Sequence, residues 1–435
     1  MSWLTLENLW RKHYNFYVVH NEHLEKIMLH SFLGSYLDLR FLSGAFFSST
    51  RCHSFLVQNP STGKSQAQKA VFFLLQRAGI PATYTVKMTD AALLGTILLD
   101  KKILQKDSRD IEKAVIRKYG ELYHKKWIGW DEGDTLLRNS PYSENTTDIL
   151  QMAMDEPGYV SKQLSLGSIE YYSNTTISAC SYPTTTFSKT AFEKGFLQRS
   201  YISFKRFSDE EKAKIEDDIA ELLFKNNFKR NDAEADLMKY VKDCQYYYAN
   251  NKLWEVSKDN KIFVKFDKEE YNKFYTEKLK PYYEEKILDQ YSDRKQDTLE
   301  SFWGRKLFHI CKFATHHAYF EKNEVVKFND LCYALDRFDE HINSVKVFLS
   351  GFRPEHNKYP EERMSIITDI ILNNGGTISR ADLLENIRKM KEQKRTDLSK
   401  RGTYNLIEEM IKNKKIKKTE KARSMGGNEI EFSIY

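Results

Sequence analysis

The stretch SFLVQNPSTGKSQAQKAVFFLLQRA, residues 54–78, sets the fold that the rest of the chain must accommodate. Residues 54–57 form a short and largely apolar run, which predicts a buried strand. A polar turn follows, and apolar residues then recur at helical spacing from Ser65 to Ala78. A strand, a turn and a helix in this order form the setting in which backbone N–H groups can wrap phosphates.

The turn supplies the side chains that phosphate chemistry needs. Gly63 allows a tight backbone, Lys64 offers an ammonium to the β and γ oxygens, and Ser65 offers a hydroxyl to magnesium. Gln58 replaces the first glycine of the G-x-x-x-x-G-K-[ST] template. The competing interpretation is a surface turn, since a Gly-Lys-Ser triplet often arises by chance. We assign nucleotide binding to Asn59, Pro60, Ser61, Thr62, Gly63, Lys64, Ser65 and Gln66.

A second motif, WIGWDEGD at 127–134, brings two carboxylates to the end of an apolar segment. A buried strand here would deliver Asp131 to the magnesium shell and Glu132 to the attacking water. TTISAC, residues 175–180, also ends at a polar turn. Because ligands bind at the carboxyl ends of parallel strands, both segments predict an open α/β sheet that binds ATP and Mg²⁺. The competing interpretation of the acidic motif is a solvated loop.

Length and composition limit the class of protein. The chain has 435 residues, which predicts two or three domains, and 41% of the residues are hydrophobic. Its five cysteines are scattered, with no C-x-x-C pair that would hold zinc. The sequence has no apolar leader and no apolar run of about 18 residues, so we expect a cytoplasmic protein without a membrane partner.

Much of the remaining chain is predicted to be helical. Apolar residues recur at helical spacing over residues 24–47, and the charged, aromatic stretch 208–300 also indicates helices. A second helical block is expected at 302–349, with Asn329 as an N-cap. Residues 352–362 are interpreted as a linker. The last 75 residues then predict three helices and two short strands, the pattern of a winged helix.

The C-terminal region is where the positive charge is concentrated. The formal net charge of the chain is +7, and residues 388–423 alone contain fourteen Lys or Arg against five Asp or Glu. Such a concentration predicts a contact with DNA phosphates. The competing interpretation is that the basic run 412–423 is only a solvated wing. The predicted DNA contacts are Lys400, Arg401, Tyr404, Lys417 and Lys418.

Hydrolysis also needs positive charge where negative charge spreads in the transition state, and a neighbouring subunit can supply it. Arg199 in GFLQRS and Arg305 in WGRKLFH are the candidates. Each is equally consistent with an ordinary surface arginine. The residues alone do not discriminate between the two interpretations.

Taken in order, these segments resemble the ATPase core of the minichromosome maintenance (MCM) family, which comprises hexameric AAA+ replicative helicases. No single motif is specific, but seven in the same order are, over roughly residues 21–206 and 298–349. The similar segments are NPSTGKSQ (59–66), TDAALLGTI (89–97), YGELYHKKWIGWDEGD (119–134), DILQMAMDEPGYVSKQLSLG (148–167), SACSYP (178–183), GFLQRSYISF (195–204) and RKLFHICKFATHHA (305–318).

The resemblance implies roles for single residues. Arg199 would act in trans on a neighbour's nucleotide, Arg305 would contact the γ-phosphate, and Lys162 would lie at the tip of a hairpin that touches DNA. The chain departs from the family at the sensor asparagine, which would fall at Tyr182, so Ser181 is the predicted substitute. The family's N-terminal domain is not found, so ring loading is expected to depend on the ATPase tier or on a loader or replication partner.

We therefore predict an α/β AAA+ P-loop NTPase with a parallel sheet, a helical lid and a winged helix, assembled as a hexameric homo-oligomer. The predicted domains are a nucleotide-binding domain (1–206), a helical insertion and lid (207–351), and a linker with a winged helix (352–435). The predicted function is an ATP-dependent DNA helicase or translocase in replication of a mobile element, virus or small genome, at a nucleoid or viral replication site. The alternatives are an ATP-switched DNA-binding initiator or loader, and another P-loop helicase class such as superfamily 3 or a RecA-like motor.

Overall fold

The computed structural model describes residues 2–18, 21–43, 46–86, 88–99, 115–133, 144–164, 167–183, 195–224, 232–251, 255–256, 262–291, 294–351, 360–392, 400–412, 415–422 and 428–434. The chain divides into two compact units, residues 1–349 and residues 350–435. Within the described ranges, no helix is both long enough and apolar enough to cross a membrane. The predicted linker at 352–362 falls mostly outside these ranges.

The strands of the described residues are numbered in chain order. They are β1 (Leu39–Ser43), β2 (Phe46–Ser49), β3 (Ser54–Gln58), β4 (Ala82–Thr85), β5 (Gly95–Leu99), β6 (Val115–Tyr119), β7 (Trp127–Trp130), β8 (Gly158–Leu164), β9 (Gly167–Ser173), β10 (Thr176–Ser181), β11 (Tyr201–Lys205), β12 (Glu255–Val256), β13 (Ile262–Val264), β14 (Thr377–Ser379), β15 (Ile416–Ala422) and β16 (Asn428–Ile434).

The α-helices are numbered in the same way. They are α1 (Trp3–Tyr17), α2 (Glu25–Tyr36), α3 (Lys64–Arg77), α4 (Asp90–Leu94), α5 (Glu121–His124), α6 (Glu144–Met154), α7 (Asp209–Phe224), α8 (Asp232–Asn251), α9 (Lys268–Phe274), α10 (Lys280–Lys286), α11 (Arg294–Gly304), α12 (Lys306–Phe320), α13 (Phe328–Gly351), α14 (Pro360–Asn373), α15 (Arg380–Glu392) and α16 (Lys400–Lys412). Short 3₁₀ turns lie at Glu22–Leu24 and Leu197–Arg199, and a π-helical turn lies at Tyr275–Leu279.

A five-stranded, all-parallel sheet forms the centre of the first unit, in the order β11-β3-β10-β7-β4. Every residue of β3, β7 and β10 is buried, as expected of strands covered on both faces. Gly129 in β7 leaves room for the indole of Trp127, because a Cβ atom there would lie 2.4 Å from that ring. The predicted open α/β sheet is therefore confirmed. The strands predicted at 54–57, 127–130 and 175–180 are β3, β7 and β10, and their observed bounds differ from the predicted ones by at most one residue.

Smaller sheets surround this core. Strands β8 and β9 form one antiparallel hairpin and β5 and β6 another pair, while β12, β13, β1 and β2 form a four-stranded sheet. The helical prediction for residues 24–47 is wrong beyond Tyr36. In β1 the buried Leu39 and Phe41 alternate with Arg40 and Leu42, and this two-residue period, rather than a helical one, places the segment in a sheet.

The helical prediction for residues 208–300 is confirmed for most of the described segment, with the short strands β12 and β13 as exceptions. The predicted N-cap at Asn329 is wrong, because α13 already begins at Phe328. Instead the carboxylate of Asp330 accepts a hydrogen bond from the backbone N–H of Lys327, at 2.9 Å. This contact satisfies a backbone donor at the start of the helix, as the acidic residue of a capping box does.

The second unit contains three helices, α14, α15 and α16, and a three-stranded antiparallel sheet in the order β14-β16-β15. The three predicted helices are present, and β14 is a strand that the sequence interpretation missed. Gly375 and Gly376 have φ values of +79° and +84°, so the turn before β14 uses a conformation that favours glycine. Apolar residues from all three helices and the sheet form one core, including Ile367, Leu383 and Met410.

Candidate active site

The parallel sheet brings the two predicted motifs to the same edge. Strand β3 ends at Gln58 and leads into the Gly-Lys-Ser loop, while β7 ends at Trp130 and leads into Asp131. Strand β10 lies between them and ends at Ser181. The backbone N–H of Asp131 donates to the carbonyl of Thr85 at 2.9 Å, which extends the pairing of β7 with β4. Loop and acid therefore meet at the carboxyl edge of the sheet.

Ser65 and Asp131 are in direct contact, since the Ser65 hydroxyl donates a hydrogen bond to a carboxylate oxygen of Asp131. Burial raises the pKa of the Tyr84 phenol on β4, and the nearby charge of Asp131 raises it further. Both Ser65 and Asp131 remain partly exposed. The two residues that were predicted to hold magnesium are thus adjacent although 66 positions separate them.

Lys64 lies beside them in a largely buried position. Its Nζ donates to the backbone carbonyls of Gln58 and Asn59, at 2.8 and 2.7 Å. The ring centroid of Tyr182 is 4.5 Å from the same nitrogen. Burial lowers the pKa of Lys64, while Cys180 and Asp131 act in the opposite direction.

The loop between β3 and α3 contains two residues with a positive φ angle. Gly63 has φ of +85° and stands at the N-cap of α3, and Ser61 is held at φ of +60°. A non-glycine residue in this region is uncommon and needs support from its surroundings. Thr62 provides part of that support, because its hydroxyl donates to the carbonyl of Asn59 at 2.9 Å. The N–H groups at the start of α3 therefore face the loop, as anion binding requires.

Gln58, which departs from the glycine template, is fully buried and hydrogen-bonded. The side-chain nitrogen of Asn21 donates to Oε1 of Gln58 at 2.7 Å and to the carbonyl of Thr62 at 2.6 Å. The long amide at position 58 thus connects the loop to the segment before α2. The sequence interpretation missed Asn21, because nothing near it in the chain signals a contact 37 residues away.

The carboxyl edge offers oxygen ligands of the kind that magnesium takes. Magnesium is usually held by one or two carboxylates together with substrate phosphates and water. The Ser65 hydroxyl and the Asp131 carboxylate fit that requirement. Among the described residues, no group of three or more His, Cys, Asp or Glu is placed to hold a metal ion. Glu132 follows Asp131 and is exposed, so its carboxylate is accessible to a water molecule.

The side chain of Ser181, the predicted sensor, and that of its neighbour Tyr182 have different surroundings. Gln68 on α3 donates to Oγ of Ser178 at 3.1 Å, so Ser178 faces α3. Side chains alternate along a strand, so Cys180 shares that face and Ser181 faces the other way. The hydroxyl of Ser181 is buried, and no described residue provides it with a hydrogen-bond partner. Of the two, it is Tyr182 that contacts Lys64.

The two predicted arginines lie at the opposite edge of the sheet, where its parallel strands begin; this is the amino edge. Arg199 lies two residues before β11, whose first residue Tyr201 pairs with Ser54, the first residue of β3. Its side chain is mostly buried, with Nε 2.6 Å from Asp155. Arg305 precedes α12, and the ring of His309 on that helix lies 3.2 Å from the carbonyl of Gln198, the residue before Arg199. Burial lowers the pKa of Arg305, and the charge of Arg199 lowers it further. The five residues of β3, about 16 Å of strand, separate them from the Lys64 loop of the same chain.

A buried charge cluster stabilises the amino edge. Arg51 and Lys312 approach the carboxylate of Glu156, at 3.0 and 3.6 Å, and the side chains of all three are almost completely buried. Ser49 also donates to Glu156, at 2.7 Å. Burial would raise the pKa of Glu156, but the two positive charges and the hydrogen bonds from Ser49 lower it. Burial lowers the pKa of Lys312 to about 8, although Glu156 opposes this.

The predicted DNA contacts are spread over both units. Lys162 lies on β8, two residues before its end, and its Nζ is 3.5 Å from Asp90. Lys417 and Lys418 are exposed on β15. The ring of Tyr404 on α16 packs against Arg380, and the ring centroid is 4.5 Å from the Cζ atom of the guanidinium. The side chains of the remaining two, Lys400 and Arg401, lie outside the described residues.

The structure therefore brings Lys64, Ser65 and Asp131 together, with Glu132 next to them, and groups the two arginines elsewhere. No protein-family model matches this chain, and no curated protein is significantly similar to it. The functional assignment consequently depends on the geometry of these groups.

Proposed function

We propose that this chain is an ATP hydrolase of the MCM-like AAA+ type that forms a ring and moves along DNA. The observation that carries the proposal is the contact between Ser65 and Asp131 at the carboxyl edge of a parallel sheet, with the ammonium of Lys64 beside it. A hydroxyl, a carboxylate and a buried ammonium at the start of a helix are the groups that a nucleoside triphosphate with magnesium requires.

In this proposal each residue has a separate role. Lys64 binds the β and γ oxygens, and the backbone of residues 59–66 wraps the phosphates. Ser65 and Asp131 would hold magnesium, whose contribution is to neutralise charge on the phosphates. Glu132 orients the attacking water, which its exposed position next to Asp131 supports.

The placement of the arginines supports a ring. Arg199 and Arg305 lie at the edge of the sheet opposite to Lys64, farther than an arginine side chain reaches. If they stabilise the transition state, they must therefore do so at the nucleotide of a neighbouring subunit. A closed ring would repeat that contact at every interface. The salt bridge with Asp155 would hold Arg199 until the neighbour's nucleotide competes for it.

The second unit supports a DNA partner. Three helices with a three-stranded antiparallel sheet fit a winged helix, and Lys417 and Lys418 are exposed on the strand that would form its wing. In the first unit, Lys162 is on a hairpin that the MCM resemblance places in the channel of the ring. Mobile-element, viral or small-genome replication is the setting proposed for such a motor.

The nucleotide site is tested with two variants. Lys64→Ala should lose ATP binding, because the phosphates lose their fixed cation. Glu132→Gln should bind ATP and hydrolyse it at least about 100-fold more slowly, since it lacks the base. Binding of a fluorescent ATP analogue and phosphate release measure the two effects, with the exposed Lys242→Ala as the control. Normal turnover by Glu132→Gln would contradict the assignment of the acidic motif.

The motor activity is tested separately on a forked DNA duplex. A translocating ring should separate the strands with ATP, and Glu132→Gln should not. ATP-dependent DNA binding without strand separation would instead favour the initiator or loader. Truncation after Gly351 should flatten the salt dependence of duplex binding, because each phosphate contact contributes a slope of about 0.9. Equal slopes for the full chain and the truncation would assign the DNA contacts to the first unit.

A further inference from the structure

The residue that follows β10 places an aromatic ring against the lysine of the proposed nucleotide site. The centroid of the Tyr182 ring is 4.5 Å from Nζ of Lys64. A cation at this distance is attracted by the negative face of the ring, and the attraction grows as the pair is withdrawn from water. Lys64 is only 6% exposed, so the contact is formed where it has most effect.

The remaining partners of Lys64 explain what the ring adds. An ammonium has three N–H donors, and two partners of Nζ are the carbonyls of Gln58 and Asn59. Both carbonyls belong to the loop that would wrap the phosphates. A lysine that turns toward a triphosphate gives up these bonds, while a ring attached to another strand can stay in place.

The position of β10 places Tyr182 close to Lys64. The strand lies between β3, which carries the loop, and β7, which carries Asp131. The residue after it therefore lies above the space between Lys64 and the acidic motif. Tyr182 is also the point at which the chain departs from the MCM pattern, where an asparagine amide is expected. A ring acts on the lysine, whereas an amide would act on the phosphate.

We propose that Tyr182 is a positioning residue that directs the Lys64 ammonium toward the nucleotide through the face of its ring. The inference depends on the proposed function, because it concerns the same site. Lys64 would contact the β and γ oxygens both in the bound state and in the transition state. Losing the ring should therefore weaken ATP binding and leave the rate of the chemical step nearly unchanged.

The first experiment compares three substitutions in steady-state ATP hydrolysis. Tyr182→Leu removes the ring and should raise KM for ATP about 3- to 30-fold, with kcat changed less than about threefold. Tyr182→Phe keeps the ring and should behave like the wild type. Tyr182→Asn also lacks the ring and should resemble the leucine variant. The control is Tyr246→Leu, an aromatic residue exposed on α8.

The opposite ranking would overturn the proposal. If Tyr182→Asn kept wild-type KM while Tyr182→Phe lost it, a hydrogen bond would be the working contact and the ring would be incidental. Unchanged KM in Tyr182→Leu would equally exclude the positioning role. A fall in kcat with constant KM would assign Tyr182 to the chemical step instead.

A double-mutant cycle tests the contact without nucleotide. Urea unfolding is measured for the wild type, Tyr182→Leu, Lys64→Met and the double variant. The ring–ammonium pair predicts that the unfolding constants are non-additive by a factor of about 3 to 30. Additivity within about twofold would show that the two side chains do not interact.

The variants distinguish an error in the proposed nucleotide site from an error in the role of Tyr182. If Lys64→Ala bound ATP normally, the proposed nucleotide site itself would be wrong. If Lys64→Ala lost ATP while Tyr182→Leu bound it normally, the site would stand and the role of Tyr182 would be wrong.

Discussion

The two edges of the central sheet use charged groups in opposite ways. At the carboxyl edge, Ser65 and Asp131 are partly exposed and Glu132 is open to solvent. At the amino edge, Arg51 and Glu156 are almost completely buried and bonded to each other. The guanidinium of Arg51 also donates to several backbone carbonyls there. One edge is left available to a ligand, and the other is satisfied internally.

This difference follows from the cost of burying charge. A buried ion is tolerated only when partners replace its hydration, and Arg51, Glu156 and Lys312 supply one another with such partners. The cluster joins the segment before β3, the end of α6 and the helix α12. Arg199 is attached to the same region through Asp155. The amino edge can therefore serve as a rigid support for Arg199, the group proposed to act on a neighbouring subunit.

The largest expected effect concerns that group. Arg199→Ala should lower ATP hydrolysis by about 10³-fold or more, because a finger supplies charge to the transition state. If it acts in trans, mixing Arg199→Ala with Lys64→Ala should restore part of the activity, since one interface can be complete. Phosphate release measured over a range of mixing ratios tests this. The matched control is Arg388→Ala, an exposed arginine on α15 in the second unit that bonds to Glu385.

Failure to recover activity at any mixing ratio would mean that Arg199 acts in its own subunit or only in folding. The thermal midpoint of Arg199→Ala separates these two outcomes. A destabilised variant would show that Arg199 is a structural group of the amino edge. The carboxyl edge would then contain the site, and the amino edge would only support it.

The second effect is on stability. Glu156→Gln keeps the shape but removes the negative charge, so Arg51 and Lys312 remain buried without their counter-ion. Breaking a buried ion pair from one side costs about 3–5 kcal/mol of unfolding free energy. Urea unfolding of this variant should show that loss, while the exposed Glu216→Gln on α7 should show almost none. A small effect at Glu156 would mean that water reaches the cluster.

The third effect is the pH dependence of the same group. The pKa of Glu156 is lowered in the folded protein from its ordinary value of 4.5. Its stabilisation is therefore complete above that value and is lost as the pH falls through the lower, folded-state pKa. The thermal midpoint of the wild type should fall more steeply with acidification than that of Glu156→Gln. Parallel curves would show that other carboxylates account for the acid sensitivity.

The sequence was sufficient for the carboxyl edge because its groups lie in short continuous motifs. Lys64 and Ser65 follow one strand and Asp131 follows another, so local pattern and the geometry of parallel sheets predict that they meet. The helices of the second unit were also predictable from their spacing. In these places the local signal and the tertiary structure agree.

The amino edge was not predictable for a physical reason. Arg51, Glu156 and Lys312 come from distant positions, and the sequence around each one looks like an ordinary charged segment. Only packing shows that they share one buried volume. At Tyr182 the sequence shows only that the amide of the family pattern is missing, because the contact with Lys64 depends on how the end of β10 faces the loop.

The smallest expected effect tests whether the carboxyl edge also contains a buried support, made of neutral groups. Asn21→Leu removes the donor shared by Oε1 of Gln58 and the carbonyl of Thr62, and among the described donors Oε1 then keeps only the Thr62 hydroxyl at 3.2 Å; this loss should cost about 1–3 kcal/mol in urea unfolding. Adding Gln58→Leu removes the second amide, so the pair should cost less than the sum of the two single changes. ATP affinity should fall only a few-fold, since neither side chain belongs to the residues proposed to touch phosphate. Additive losses would show that Asn21 and Gln58 act independently and do not form one support for the loop.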